Sequence, residues 1–168
     1  DLRDQLPGCW DQLSTSSCTA HGIAALLWSG QVVAGEIPVM PSRLFLYYNE
    51  RDMEGDAGND SGAIIRDGIK VCNINGIVDE SLWPFSEDKV LHKPVKEVYE
   101  KALSNRIHFY AAIDLKNINQ IKLALSHKLP IVFGFNVYSF FESEEMARTG
   151  ILKMPKKRER LLGGHCVS

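Results

Sequence analysis

Apolar positions in this chain change their rhythm part-way along. From residue 18 to about 103 they recur at helical spacing, and from about 107 they gather into short runs. Ala20, Ile23, Ala24 and Leu27 share one helical face, and Gly30 offers a stop. Ser16 or Ser17 precedes this stretch, with a hydroxyl able to accept from the unpaired N–H groups of a first turn. Cys18 therefore falls at or beside a helix N-terminus. Pro41 and Ser42 open a second predicted helix over 43–51, since proline is tolerated in a first turn. A third helix, over 63–73, puts Ile65, Ile69 and Cys72 on one face, with Gly76 beyond its end. Residues 1–17 read as irregular, and the Gly-, Asp- and Asn-rich stretch 52–62 reads as a loop.

Residues 79–94 are mostly loop, with Trp83-Pro84-Phe85 pinning an extended segment. A short helix is predicted over 95–103. Then strand character rises: 107–113 is rich in β-branched, aromatic and small apolar residues. An amphipathic helix over 118–127 and an apolar strand over 130–137 follow. Ile151-Leu152 and Cys166-Val167 read as the starts of two more strands. The order is helical first and strand-richer second, changing near 104–106. There is no internal repeat and no low-complexity segment.

Composition narrows the class. With 168 residues, the chain makes one domain or two small lobes around one cleft. Its 45% hydrophobic and 24% charged residues argue against disorder. The 19 basic and 21 acidic residues leave a net charge of -2, which gives no electrostatic reason to bind nucleic acid. No apolar run approaches the roughly 20 residues of a membrane span. The opening Asp-Leu-Arg-Asp does not read as a signal peptide. Four cysteines, Cys9, Cys18, Cys72 and Cys166, are too sparse for a disulfide framework and contain no Cys-x-x-Cys. They read as reduced thiols, most of them buried, although a bridge from Cys9 to Cys72 or Cys166 stays open.

Candidate chemistry centres on Cys18. A helix N-terminus favours the thiolate and presents N–H groups to an oxyanion. A buried structural cysteine at a helix start is the competing reading. Gln12 lies six residues earlier, with an amide able to donate to the same oxyanion. His165, after Gly163-Gly164, would take the proton of Cys18 and return it as a general acid. His21 reads as a buried, hydrogen-bonded histidine ahead of a contact with the thiolate or a metal. Cys166 beside His165 does not suggest a shared ion, because neighbours on a strand face opposite ways. The acidic cluster Asp52, Glu54, Asp56, Asn59 and Asp60 lacks calcium-loop spacing and reads as solvated. The run Lys156-Lys157-Arg158 with Arg160 also reads as a solvated loop.

Asp11-Gln12-Leu13-Ser14-Thr15-Ser16-Ser17-Cys18-Thr19-Ala20 resembles the nucleophile motif of papain-like cysteine peptidases. His165 falls in the window of about 130–150 residues downstream that this family uses. Further stretches resemble the family in the same order. They are Asp60-Ser61-Gly62, the segment from Gly76 to Phe85, the strand Pro130–Phe135 and the turn Thr149–Leu152. Ser-Cys-Thr-Ala, in place of Ser-Cys-Trp-Ala, is similar to the branch found largely in bacteria and archaea.

The resemblance implies an α+β, papain-like two-lobe fold. A helical lobe over 1–105 would carry Cys18, and a β-rich lobe over 106–168 would carry His165, with a peptide-binding cleft between. It implies Cys18 as nucleophile, His165 as base in a thiolate–imidazolium pair, and Gln12 with the Cys18 N–H as oxyanion hole. Ser61, Gly62, Ala63, Ile64, Phe133, Gly163 and Gly164 would contact a peptide or protein substrate. No cofactor or metal is implied. A non-catalytic peptide-binding module, or a Cys–His transamidase or ligase on the same fold, stands as the alternative.

The chain departs from the family in several places. Thr15 replaces a disulfide cysteine, and Leu13 and Ser16 replace glycines. The family's third catalytic residue is an asparagine after the histidine, and the sequence ends at Ser168. The expectation is therefore a second lobe completed by about 30–60 further residues of the parent gene, by analogy with domain sizes. A missing C-terminal segment and an inhibitory pro-segment would then be partners. The compartment stays open, with a slight lean to a reducing one.

Overall fold

The computed structural model describes residues 2–168. In chain order its helices are α1 (Cys18–Val33), α2 (Arg43–Glu54), α3 (Ile65–Ile74), α4 (Lys96–Ala102), α5 (Ile118–Ser126) and α6 (Glu144–Thr149). Strands β1 (Phe133–Tyr138) and β2 (Leu161–Val167) flank α6 in sequence. They pair antiparallel, with Phe135 opposite His165 and Gly134 opposite Cys166. This is an α+β architecture in which α1 packs on α2, on α3 and on β2.

The core forms where three apolar faces meet. Ala20, Ile23 and Ala24 of α1, Leu46 and Tyr47 of α2, and Val71 and Cys72 of α3 are fully buried together. A smaller cluster joins Phe45 of α2 to Val78, Val98 and Ala102. Helix α2 is thus buried on all sides from Arg43 to Arg51, and most of its polar side chains find hydrogen-bond partners. Ser42 caps it, accepting from the Phe45 N–H, and Gly55 ends it in the left-handed region. The Arg51 guanidinium is fully buried without a carboxylate. It donates to the carbonyls of Tyr47, Ala57, Asn59 and Val90, and its face lies over the Tyr47 ring.

Two glycines mark close packing. Gly76 turns the chain after α3 at φ +84°, where an added Cβ would lie 1.9 Å from the Ala102 carbonyl oxygen. Gly22 lets β2 approach α1: a Cβ there would meet Cys166 Sγ at 3.0 Å and Val132 Cγ2 at 3.1 Å.

Several sequence expectations are corrected. Helix α1 continues through Gly30 to Val33, and the left-handed turn comes at Gly35. Buried packing outweighs the cost of a mid-helix glycine. Ser17 does occupy the N-cap position, but its side chain caps no N–H. Residues 107–113 and 151–152 form no strand. Their residue types suit a pleated surface, yet a strand needs a ladder partner. At 107 the backbone bonds only to the end of α3, where Ile107 N–H donates to Cys72 and Asn73 donates to the Ile107 carbonyl.

Candidate active site

Cys18 is the first residue of α1 and is half-buried. Burial pushes its thiol pKa up, and the carboxyl of Glu50 pushes the same way. The backbone N–H groups of Cys166 and Thr19 oppose this, but burial dominates. Cys18 therefore lies where the start of α1 meets β2. Cys166 itself is buried against Gly22, one helical turn beyond Cys18. Burial raises its thiol to about 12.

Strand alternation sends His165 to the other face from Cys166. Its ring rests against Phe135 at 5.9 Å and Phe141 at 5.8 Å between centroids. Burial lowers its pKa. The structure thus brings Cys18 to the strand that carries His165. Among the described residues, however, no hydrogen bond joins the two side chains. Phe135 and Phe141 also line a cavity of about 320 Å³ with Tyr138, Leu152 and Met154, on which Cys18 does not border.

Gln12 belongs to a tight loop. Its Nε2 donates to the Thr15 carbonyl at 2.7 Å, and its own carbonyl accepts from the Thr15 hydroxyl at 2.7 Å and from the Thr15 N–H at 3.3 Å. Leu13 takes φ +55° there. The departure from glycine at this position is therefore met by a left-handed leucine.

The segment 61–64 leads into α3 as loop, with Gly62 in the left-handed region at φ +81° and Ile64 extended. The Gly62 N–H donates to Tyr47 Oη at 3.0 Å, and the Tyr47 hydroxyl donates to Asp60 at 2.5 Å. Asp60 also accepts from the Ser16 N–H at 3.0 Å. Asp60 is thus a tie between the loop before Cys18 and the segment carrying Ser61, Gly62, Ala63 and Ile64. Across from it, Gly134 of β1 lies beside Ile65 at the start of α3. Phe133, Gly163 and Gly164 are exposed on the two strands.

Sequence reasoning missed three participants: Asp60 as a tie, Tyr47 as its partner, and Glu50. Glu50 is fully buried, accepts from the Thr19 hydroxyl at 2.6 Å, and leaves Oε1 without a partner. Burial raises its pKa to about 8. The run Leu44-Phe45-Leu46-Tyr47-Tyr48 was the available signal. A helix apolar all round is buried, and its acids are buried with it.

All four cysteines are free. Among the described residues no group of three or more His, Cys, Asp or Glu could hold a metal ion. No described helix is long and apolar enough to cross a membrane.

No protein-family profile matches the chain. It is 42% identical over 165 residues to a protein of Acanthamoeba polyphaga mimivirus described as an uncharacterized peptidase C1-like protein. That match covers 94% of this chain and 53% of the relative, so the chain spans about half the relative's length. The crystal structure of xylellain, a cysteine protease from Xylella fastidiosa, superposes with a TM-score of 0.86 at 32% identity. The superposition covers 96% of this chain and 66% of xylellain. Sequence and fold agree: the chain has an α+β, papain-like fold and is similar to cysteine peptidases in both.

Proposed function

We propose that the chain carries the active site of a cysteine peptidase, with Cys18 as nucleophile and His165 as general base and acid. The observation that supports this best is the placement of Cys18. It opens a buried helix that packs against the strand bearing His165. In the proposed reaction the Cys18 proton passes to His165 as sulfur attacks a peptide carbonyl carbon. The carbonyl oxygen takes the negative charge, which the Cys18 N–H and the Gln12 amide would stabilise. Collapse breaks the C–N bond, the amine leaves with the proton from His165, and a thioester remains. Water, deprotonated by His165, then releases the acid.

Burial opposes a charge on either group alone. The thiolate and imidazolium would therefore arise together, each stabilising the other. That step asks the imidazole to turn from Phe135 and Phe141 toward the sulfur. Ser61, Gly62, Ala63 and Ile64 on one side, and Phe133, Gly163 and Gly164 on the other, would flank an extended peptide. The Gly62 N–H serves Tyr47, while its carbonyl, which accepts from the Ser61 hydroxyl at 3.4 Å, keeps a second lone pair for substrate.

The second reading, a non-catalytic peptide-binding module, is favoured by the missing Cys18–His165 hydrogen bond. Mass-resolved labelling with a peptidyl epoxide separates the two. Selective labelling of Cys18 that disappears in His165→Ala supports the peptidase. Label spread over all four cysteines, or absent, supports the binding module. Peptide hydrolysis that survives Cys18→Ala would end the proposal.

A further inference from the structure

His21, one turn into α1, has both ring nitrogens committed. Nδ1 lies 2.9 Å from the Ser17 carbonyl oxygen and 3.2 Å from its hydroxyl. Nε2 lies 3.3 Å from a guanidinium nitrogen of Arg43. A carbonyl only accepts and a guanidinium only donates. The ring must therefore be neutral, with its proton on Nδ1 and its lone pair on Nε2.

Arg43 has little freedom to move away. Its guanidinium is paired with Glu80 at 2.7 Å, and its face lies over Trp10 and Phe85 at 5.2 and 4.9 Å. Glu80 also accepts from the backbone N–H groups of Arg43 and Phe85. The Phe85 ring stands edge-on to His21 at 5.0 Å.

The bonds beyond His21 have a fixed sense. The Thr15 hydroxyl donates to the Gln12 carbonyl, so the Ser17 hydroxyl donates to Thr15 at 2.7 Å and accepts from His21. One directed chain thus runs from Arg43 through His21, Ser17 and Thr15 to Gln12. It passes through the residue before Cys18 and ends on the loop of the candidate oxyanion donor. This explains why Ser17 caps no N–H.

We propose that His21 is a positioning residue: its neutral ring, locked by Arg43 and Glu80, holds the Ser17–Cys18 peptide and the Gln12 loop in place. The proposal rests on the peptidase reading for its purpose and on the hydrogen-bond directions for its content. Around the ring, Arg43 of α2 opposes a second proton. Glu80 of the loop after α3 and the carbonyls of Ser17 and Asp11 favour one. The Asp11 carboxylate is turned to the Leu13 N–H. Burial tips the balance and lowers the His21 pKa. Acid places a second cation beside Arg43 and removes the acceptor on Nε2.

The test is the pH dependence of Cys18 alkylation by iodoacetamide, followed by mass in the full chain, His21→Asn and His21→Phe. The ring tautomer of wild-type His21 is read by 15N NMR. Asparagine can replace the Nδ1–H donor but cannot titrate. His21→Asn should keep the rate at pH 7.5 within about threefold and lose one proton from the acid limb, whereas His21→Phe should lose about tenfold. An Nε2–H tautomer in the wild type overturns the proposal, as does an acid limb unchanged by His21→Asn or a His21→Phe rate equal to wild type. The NMR result stands even if His21→Phe fails to fold. His21-dependent alkylation in a chain that hydrolyses no peptide supports the positioning role and removes the peptidase reading instead.

Discussion

The two sides of the candidate site are built differently. Cys18 leads a helix whose Ala20, Ile23 and Ala24 are fully buried among α2 and α3. His165 sits on a two-stranded ribbon in a region where Phe109, Leu115 and Met154 are each at least 80% exposed. The Cys18 side is fixed by packing and by directed hydrogen bonds, and the His165 side by one seam against α1 and two aromatic contacts. Side chains near Cys18 are therefore held on more sides than those near His165.

The largest effect should come from breaking the tight side. Phe45 is fully buried between α2 and α4, its ring 5.2 Å from that of Tyr99. Phe45→Ala should cost about 3–5 kcal/mol in a urea unfolding titration. A loss below about 1 kcal/mol would mean that this cluster is not the core it appears from burial.

Glu50 probes the same side by pH. The folded carboxyl keeps its proton up to about pH 8, while an unperturbed one releases it near 4.5. Between those values the folded state holds the extra proton, so stability falls as pH rises, by about 1.4 kcal/mol per unit. Above about pH 8 both states are ionised and the slope ends. Glu50→Gln keeps an acceptor for Thr19 and removes the titration. Its advantage over wild type should grow from pH 5 to 8. Parallel stability curves for the two proteins would show that Glu50 ionises normally.

The seam between the two sides can be measured by sign. At an open helical position Gly→Ala stabilises by about 1 kcal/mol. At Gly22 the new methyl would press on Cys166 Sγ and Val132 Cγ2, and overpacking of that kind costs about 1–3 kcal/mol. Gly22→Ala should therefore destabilise, and adding Cys166→Ala should recover much of the loss in a double-mutant cycle. Stabilisation by Gly22→Ala alone would show that β2 does not press on α1 in solution.

Legibility in the sequence followed the same divide. Helices α1, α2 and α3 could be read because their apolar spacing agrees with their packing, and Ser42 before α2 and Gly76 after α3 mark ends where the sequence places them. Cys18 at a helix start was read for that reason. Residues 107–113 misled, because β-forming side chains do not create the strand they would pair with. Ser17 misled because a hydroxyl can serve a helix N–H or a neighbouring side chain, and Thr15 and His21 took it. Asp60 and Glu50 carry the same charge in sequence. Only the packing around α2 makes one a tie between loops and the other a buried acid.

The smallest expected effect is the sharpest statement about the looser side. Phe109 lies in 107–113 and is 85% exposed. Removing an aromatic ring from a core costs kilocalories, but removing one already in water forfeits almost no buried area. Phe109→Ser should therefore change stability by no more than about 0.5 kcal/mol, read from paired urea titrations. The ring would also be free to quench with iodide if replaced by tryptophan, as Phe109→Trp. A loss above about 1 kcal/mol, or a tryptophan shielded from iodide, would place the ring in a packed environment. The contrast between a packed Cys18 side and an exposed His165 side would then fail at residue 109.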